Sequence, residues 1–270
     1  MARALLKYSV SFKIGLKNSM EYRVDFFLKL LSTIFPIIIN LFLWTAVYGT
    51  THVKNPYGYT YIQIILYSLL SGVISSIVST GFEADIAHDI KDGGLNKYIV
   101  KPVSYYISRV ASFLGEKSIQ YAVLLAIITA VLTIFNIFLN LNMEIFRIIT
   151  FLISLMQAAI LNYLIFFAVS ALAFWVFEVG YLFWAVGVAI NIASGGLFPI
   201  EVLGVKALLV LEFLPFKYII YYPITVISGK LSHTEILYGL LIQLIWICIA
   251  LAVAKLMWYL GMKKYIAVGG

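Results

Sequence analysis

Apolar residues fall along this chain in long blocks, separated by short clusters of polar and charged residues. Six blocks match or exceed the roughly 18 apolar residues that mark a membrane-crossing helix. They cover about 26–48, 59–80, 115–138, 146–174, 180–198 and 234–260. Residues 2–20 are too polar to cross. There Leu5, Tyr8, Phe12 and Leu16 share one helical stripe, with Lys7, Ser11 and Asn18 opposite. That pattern predicts an amphipathic helix in the membrane interface, with a plain lead-in helix as the alternative. Residues 199–231 are apolar but broken by Pro199, Gly204, Pro215, Pro223 and Gly229, and they carry Glu201, Lys206, Glu212 and Lys217. So interrupted a stretch predicts a re-entrant or interfacial helical hairpin between spans 5 and 6, its irregular backbone shielded by protein. The fold class expected is all-α integral membrane: six transmembrane helices in one domain over 1–270.

Composition strengthens that expectation. Of the 270 residues, 63% are hydrophobic and 11% charged. A soluble domain carries about a quarter charged residues and needs them to cover its surface. The net charge of +7 is read here through the bias of basic residues toward the cytoplasmic side, not as a signal for nucleic acid. With the N-terminus inside, Arg3, Lys7, Lys13, Lys17, Arg23, Lys29, Lys91, Lys97, Lys101, Arg109, Lys117, Lys255, Lys263 and Lys264 lie inside. Only Lys54, Arg147, Lys206, Lys217 and Lys230 lie outside. Both termini are therefore expected in the cytoplasm. The first long apolar run begins near Phe26, too far in for a cleavable leader, and reads as an uncleaved first span. Cys248, the one cysteine, sits in an apolar run and has no internal disulfide partner.

The charges also exclude chemistry. None falls near the middle of a predicted span; Glu116, Lys117, Glu178 and Lys255 lie toward the cytoplasmic ends. Ion-coupled carriers usually keep ionisable groups at mid-depth, so the energy source is expected elsewhere. His52, His88 and His233 make no metal-ligand spacing. No phosphate-binding loop or serine nucleophile motif occurs, since Gly229-Lys230 is followed by Leu231. Within the spans the polar residues are mild: Asn40, Gln63, Ser68, Ser71, Ser75, Gln120, Gln157, Asn162, Asn191 and Gln243. Each is either an interhelical hydrogen bond or a path-lining group. Ala185, Ala189 and Ala193 place small side chains on one face of span 5, for close packing within the chain or between subunits.

The largest cytoplasmic stretch, 81–114, is the most informative. Thr80-Gly81-Phe82-Glu83 has the form of a capping box, Phe82, Ile86 and Ile90 follow at helical spacing, and Gly93-Gly94 ends the helix. Glu83, Asp85, Asp89 and Asp92 occupy other faces. So short a helix needs a surface to dock on. Acids are poorly placed for an anionic inner leaflet, which favours a cytosolic protein over the bilayer. The protein's own helix ends are the other surface on offer.

These features resemble the permease subunits of type-2 ATP-binding cassette transporters, the compact six-span group. At the front, Glu21-Tyr22-Arg23-Val24-Asp25-Phe26-Phe27 is similar to that family's start of span 1. Asp89-Ile90-Lys91-Asp92-Gly93-Gly94-Leu95 with Lys101-Pro102-Val103-Ser104 resembles its loop pattern, with a doubled glycine where the family more often has one. Ser194-Gly195-Gly196-Leu197-Phe198-Pro199 and Leu214-Pro215-Phe216-Lys217-Tyr218 resemble its external hairpin. Lys263-Lys264-Tyr265-Ile266-Ala267-Val268-Gly269-Gly270 resembles its tail. The resemblance implies a non-catalytic half-transporter in a prokaryotic plasma membrane that exports its cargo. A second permease chain, identical or paralogous, would complete the pathway. A cytosolic ATPase subunit would bind ATP and Mg, which this chain does not hold, and would dock on a coupling helix running from Phe82 to Asp92. A lipid-modifying enzyme is the alternative that would use Asp85, His88, Asp89 and Asp92; an ion-coupled carrier is the other.

Overall fold

The computed structural model describes residues 2–21, 23–50, 55–99, 104–139 and 144–265. Tyr22, His52, Lys101-Pro102-Val103 and the tail from Ile266 lie outside the described residues, as does the side chain of Leu5. The chain is helical almost throughout, with no strand among the described residues. In order come α1 (Ala2–Glu21), α2 (Arg23–Thr50), α3 (Tyr61–Val78), α4 (Glu83–Lys91), α5 (Asn96–Ile99) and α6 (Tyr105–Leu139). They are followed by α7 (Ile145–Ser170), α8 (Gly180–Ala193), α9 (Val205–Glu212), α10 (Tyr221–Ile227) and α11 (His233–Met262).

Four stretches are long and apolar enough to cross a membrane: Tyr61–Lys91, Tyr105–Ile134, Ile145–Phe174 and His233–Met262. Ile34–Thr50 and Gly180–Ala193 are shorter apolar helices, at the places expected for spans 1 and 5. The central pair is α3 and α7, whose buried faces include Leu70, Ile74, Ala158 and Leu161. Helices α6 and α11 expose most of their apolar surface, including Ile127, Ile134, Leu241, Ile245 and Val253. Such helices are apolar on the face that the protein leaves uncovered, and lipid is the solvent that suits them. Cys248 is exposed on α11.

Two ends of the bundle are tied differently. At one end lies the interrupted segment. Its first arm, α9, leaves Val205, Leu209, Val210 and Phe213 exposed. Its second arm, α10, is buried from Tyr222 to Ile227 and packs on α3 and α7. Side chains repair the broken backbone there: Gln243 donates to the Tyr218 carbonyl at 3.0 Å, and Tyr67 to the Gly195 carbonyl at 2.7 Å. The Tyr221 amide donates to the Ser194 carbonyl at 2.9 Å. A buried irregular backbone needs such partners, because an unpaired peptide group away from water is costly.

The other end carries α4. It starts later than the capping-box pattern predicts. Phe82, not Thr80, is the N-cap, and no side chain caps it. Gly81, at φ +105°, keeps the chain out of helix, and Glu83 accepts from the Gly81 amide at 2.7 Å. The doubled glycine has two separate jobs. Gly93 adopts φ +73°, the left-handed turn that stops α4. Gly94 lies against Asp89, where a Cβ would collide with the carboxylate. Helix α6 begins at Tyr105, ten residues before the apolar block at 115, so residues 105–114 and that block form one continuous helix.

Candidate functional site

Helix α4 is held on the bundle by its apolar side. Phe82, Ile86 and Ile90 are all buried, and α4 packs on α7 and on the short helical turn after it. The Phe82 ring lies 4.2 Å from that of Tyr163 and 5.4 Å from that of Phe113. Each such side chain removed from solvent is worth about 1.5–3 kcal/mol. Of the two surfaces the sequence offered this face, a cytosolic protein and the chain's own helix ends, the chain's own helices cover Phe82, Ile86 and Ile90. The spacing showed that α4 has an apolar face, but spacing does not say which body covers it.

Polar contacts fix the rest. Asp89 forms an ion pair with Arg109 of α6 and accepts from Tyr105 Oη at 2.7 Å. Asp85 lies 3.9 Å from the same guanidinium. Tyr105 stacks on Trp258 of α11 at 5.1 Å between ring centroids. Tyr265 Oη donates to Asn96 at 2.9 Å, so the segment after α11 also touches this loop. Asp89 is therefore a structural acid that ties α4 to α6. Ala84, Asp85, His88 and Asp92 are exposed, while Glu83 and Lys91 are half-buried. The four exposed residues follow one another at helical spacing and form the outward stripe of α4. His88 and Asp92 pair at 2.8 Å.

That arrangement bears on catalysis. Of the four residues an intramembrane enzyme would use, Asp89 is engaged by Arg109, and the His88–Asp92 pair stands out in the open. No group of three metal-ligating side chains occurs among the described residues.

The second feature is a cavity of about 600 Å³ beside the bundle, bounded by α2, α3, α6, α7 and α8. Asn40, Ser75, Gln120, Asn162 and Asn191 line it. The structure thereby sorts nine of the ten mild polar residues, which sequence spacing left equivalent; the tenth, Gln157, keeps a buried oxygen without a partner among the described residues. Gln243 bonds Ser154 and Tyr218, and Ser68 and Ser71 bond carbonyls of their own helix. Gln63 completes the capping box that opens α3. Those four are structural, whereas the five cavity residues come together from five helices.

The helix faces named from sequence also find their places. Tyr8 and Leu16 of α1 are half-buried and Phe12 is exposed. What meets α6 is the small face of α1: Ser11 bonds Ser108 at 2.9 Å, and a Cβ on Gly15 would strike the Ser112 carbonyl. On α8, Ala185 and Ala189 are exposed and Ala193 half-buried. The bundle therefore leaves the alanine face open.

At the hairpin end, Glu201 accepts from Tyr59 at 3.0 Å and from Tyr221 at 2.7 Å. The Lys230 ammonium sits 3.1 Å from the centre of the Tyr59 ring. Burial holds that ammonium below the ordinary lysine pKa, while the Glu201 charge works against the shift. Sequence reading placed Glu201 only as a charge in a broken stretch, and Lys230 only as an outside basic residue that belongs to no phosphate-binding loop. Their partners are 142 residues away in sequence for the Tyr59–Glu201 bond, beyond any local signal.

Compared with known families, residues 34–269 match the model described as ABC-2 family transporter protein. No curated protein and no solved structure matches the chain.

Proposed function

Because the chain belongs to the ABC-2 family of transporter proteins, we propose that it is the permease subunit of an ATP-driven exporter, coupled to a separate cytosolic ATPase. Membership makes it a multi-pass membrane transport component. The finer reading is a six-span subunit with both termini in the cytoplasm of a prokaryotic plasma membrane. A second permease chain completes the pathway, and ATP and Mg bind on the partner ATPase.

The observation that carries this reading is the build of α4. A nine-residue helix is too short to persist alone. Here its apolar face is anchored to the bundle, and its acid on the inner side is locked to Arg109. What remains outward is the stripe Ala84, Asp85, His88 and Asp92. A rigidly held, outward-facing acidic helix suits a partner whose groove is basic. Its charges set orientation and association rate more than affinity. Closure of the ATPase pair would push α4, and α4 would move α6 and α7 with it as one body. The alanine face of α8 is the place assigned to the second chain, and α1 lies along the inner membrane interface. Residues 199–231 form the external re-entrant hairpin, and the basic-residue count supports the orientation.

The test is a mild-detergent pull-down of the tagged chain at native expression, with ATPase activity assayed on the eluate. A nucleotide-binding protein and vanadate-sensitive hydrolysis are expected. A clean chain without ATPase in several detergents would return the choice to a carrier or an enzyme.

A further inference from the structure

The cavity beside α2, α3, α7 and α8 has a chemistry of its own. Three residues that line it, Ser75, Asn162 and Asn191, each carry a buried oxygen (Oγ, Oδ1 and Oδ1) with no hydrogen-bond partner among the described residues. The orientation of the Asn162 amide is fixed, since its Nδ2 donates to the Val78 carbonyl at 2.8 Å. The oxygen is thus the atom left over, on a residue only 4% exposed. A buried acceptor without a donor is unfavourable, and the cost is relieved by any group that brings a hydrogen to it. Gln120 adds a third amide, but its oxygen already accepts from Lys117 at 3.1 Å.

The rest of the wall sets the ligand's other properties. Glu83 and Lys117 are the charged residues among the lining, opposite in sign and both near the α4 end. The remainder carries no formal charge, so an ionic head group would find no counter-ion along most of the wall. Ile37, Phe166, Phe183 and Val188 supply apolar surface. The side between α2 and α8 is open: Trp184 is 72% exposed and Pro36 is exposed as well. A ligand reaching the cavity by that side comes from the hydrocarbon layer, not from water.

We propose that this cavity binds the transported molecule, and that the molecule is an uncharged amphiphile whose head group donates hydrogen bonds, as a hydroxyl-rich lipid does. The apolar tail lies against Trp184 and Val188, and the hydroxyls meet the acceptors on Ser75, Asn162 and Asn191. The assignment of cargo rests on the permease reading, but the binding itself does not.

Binding is measured on the full chain in nanodiscs through quenching of Trp184 fluorescence by chain-brominated alkyl probes, with Trp184→Phe defining the signal from that residue. Four probes share one tail: a glucoside, its permethylated form, a sulfate and a trimethylammonium. The glucoside is expected to quench saturably. The permethylated form is neutral but has no donor, and it is expected to bind about tenfold more weakly, as are the two ions. Ser75→Ala combined with Asn191→Ala leaves the Asn162–Val78 contact in place. It is expected to cut glucoside affinity by about tenfold while leaving the permethylated probe unchanged. Equal quenching by all four probes, no quenching by any, or an unchanged glucoside affinity in the double variant would each overturn the proposal. ATPase co-purification from the same preparation is read separately, so loss of the permease reading and loss of this site are told apart.

Discussion

Two small-residue faces of this molecule have opposite fates. On α1, Ser11 and Gly15 press into α6 at Ser108, Ser112 and Gly115 so tightly that a Cβ on either glycine would strike the facing backbone. On α8, Ala185 and Ala189 look outward and touch nothing that covers them. In a bilayer there is no hydrophobic drive between helices, so close approach of backbones is what small residues offer. The α1 face spends that offer inside the chain. The α8 face holds it in reserve, next to a cavity and beside exposed Tyr181 and Trp184. A stripe of small residues therefore reports that a backbone comes close, and the fold decides whether that backbone belongs to the same chain.

The largest expected effect lies on the α1 side. Gly115→Leu should destabilise the protein by about 3 kcal/mol, because neither backbone can retreat without undoing the crossing. Chemical denaturation in detergent would read it, together with faster proteolysis of α1. A fully stable variant would mean that α1 is not held there. Next comes the ionic tie of α4. Asp89→Asn should cost about 2 kcal/mol by weakening charge-assisted bonds to Arg109 and Tyr105. The same change should loosen α4 in hydrogen exchange. The smallest effect on stability belongs to α8. Ala185→Leu with Ala189→Leu should stay within about 0.5 kcal/mol, as exposed substitutions do. The same pair should lower the dimer fraction seen by native mass spectrometry. A drop in stability without change in assembly would place that face inside the bundle instead.

Much of the helical plan was legible in the sequence because it is written locally. Apolar blocks, proline and glycine breaks and the glycine stop of α4 act over a few residues. The starts of α3 and α11 were legible to within two residues for the same reason. What stayed hidden was relational. The run Tyr105–Arg109 opens α6, and its partners Asp89 and Trp258 lie on other helices, which no local pattern in the run announces. Phe82, Ile86 and Ile90 show a face but not its owner. The ten uncharged polar residues of the spans look alike in sequence, and only assembly of five helices separates Asn162 at a cavity from Gln243 at a repaired backbone. Small faces and mild polar groups are shared by core, interface and pathway, so their meaning comes from what they meet.

The central claim is that α4 couples this permease to an ATPase through its outward acidic stripe. It is tested most directly by measuring vanadate-sensitive ATPase activity that co-purifies with the wild-type chain and with Asp85→Lys, Asp92→Lys. Those two side chains are exposed, so the charge reversal should leave the fold intact. The account predicts activity with the wild type and its loss with the reversed stripe at unchanged thermal stability. Equal activity in both, or none in either, would contradict it.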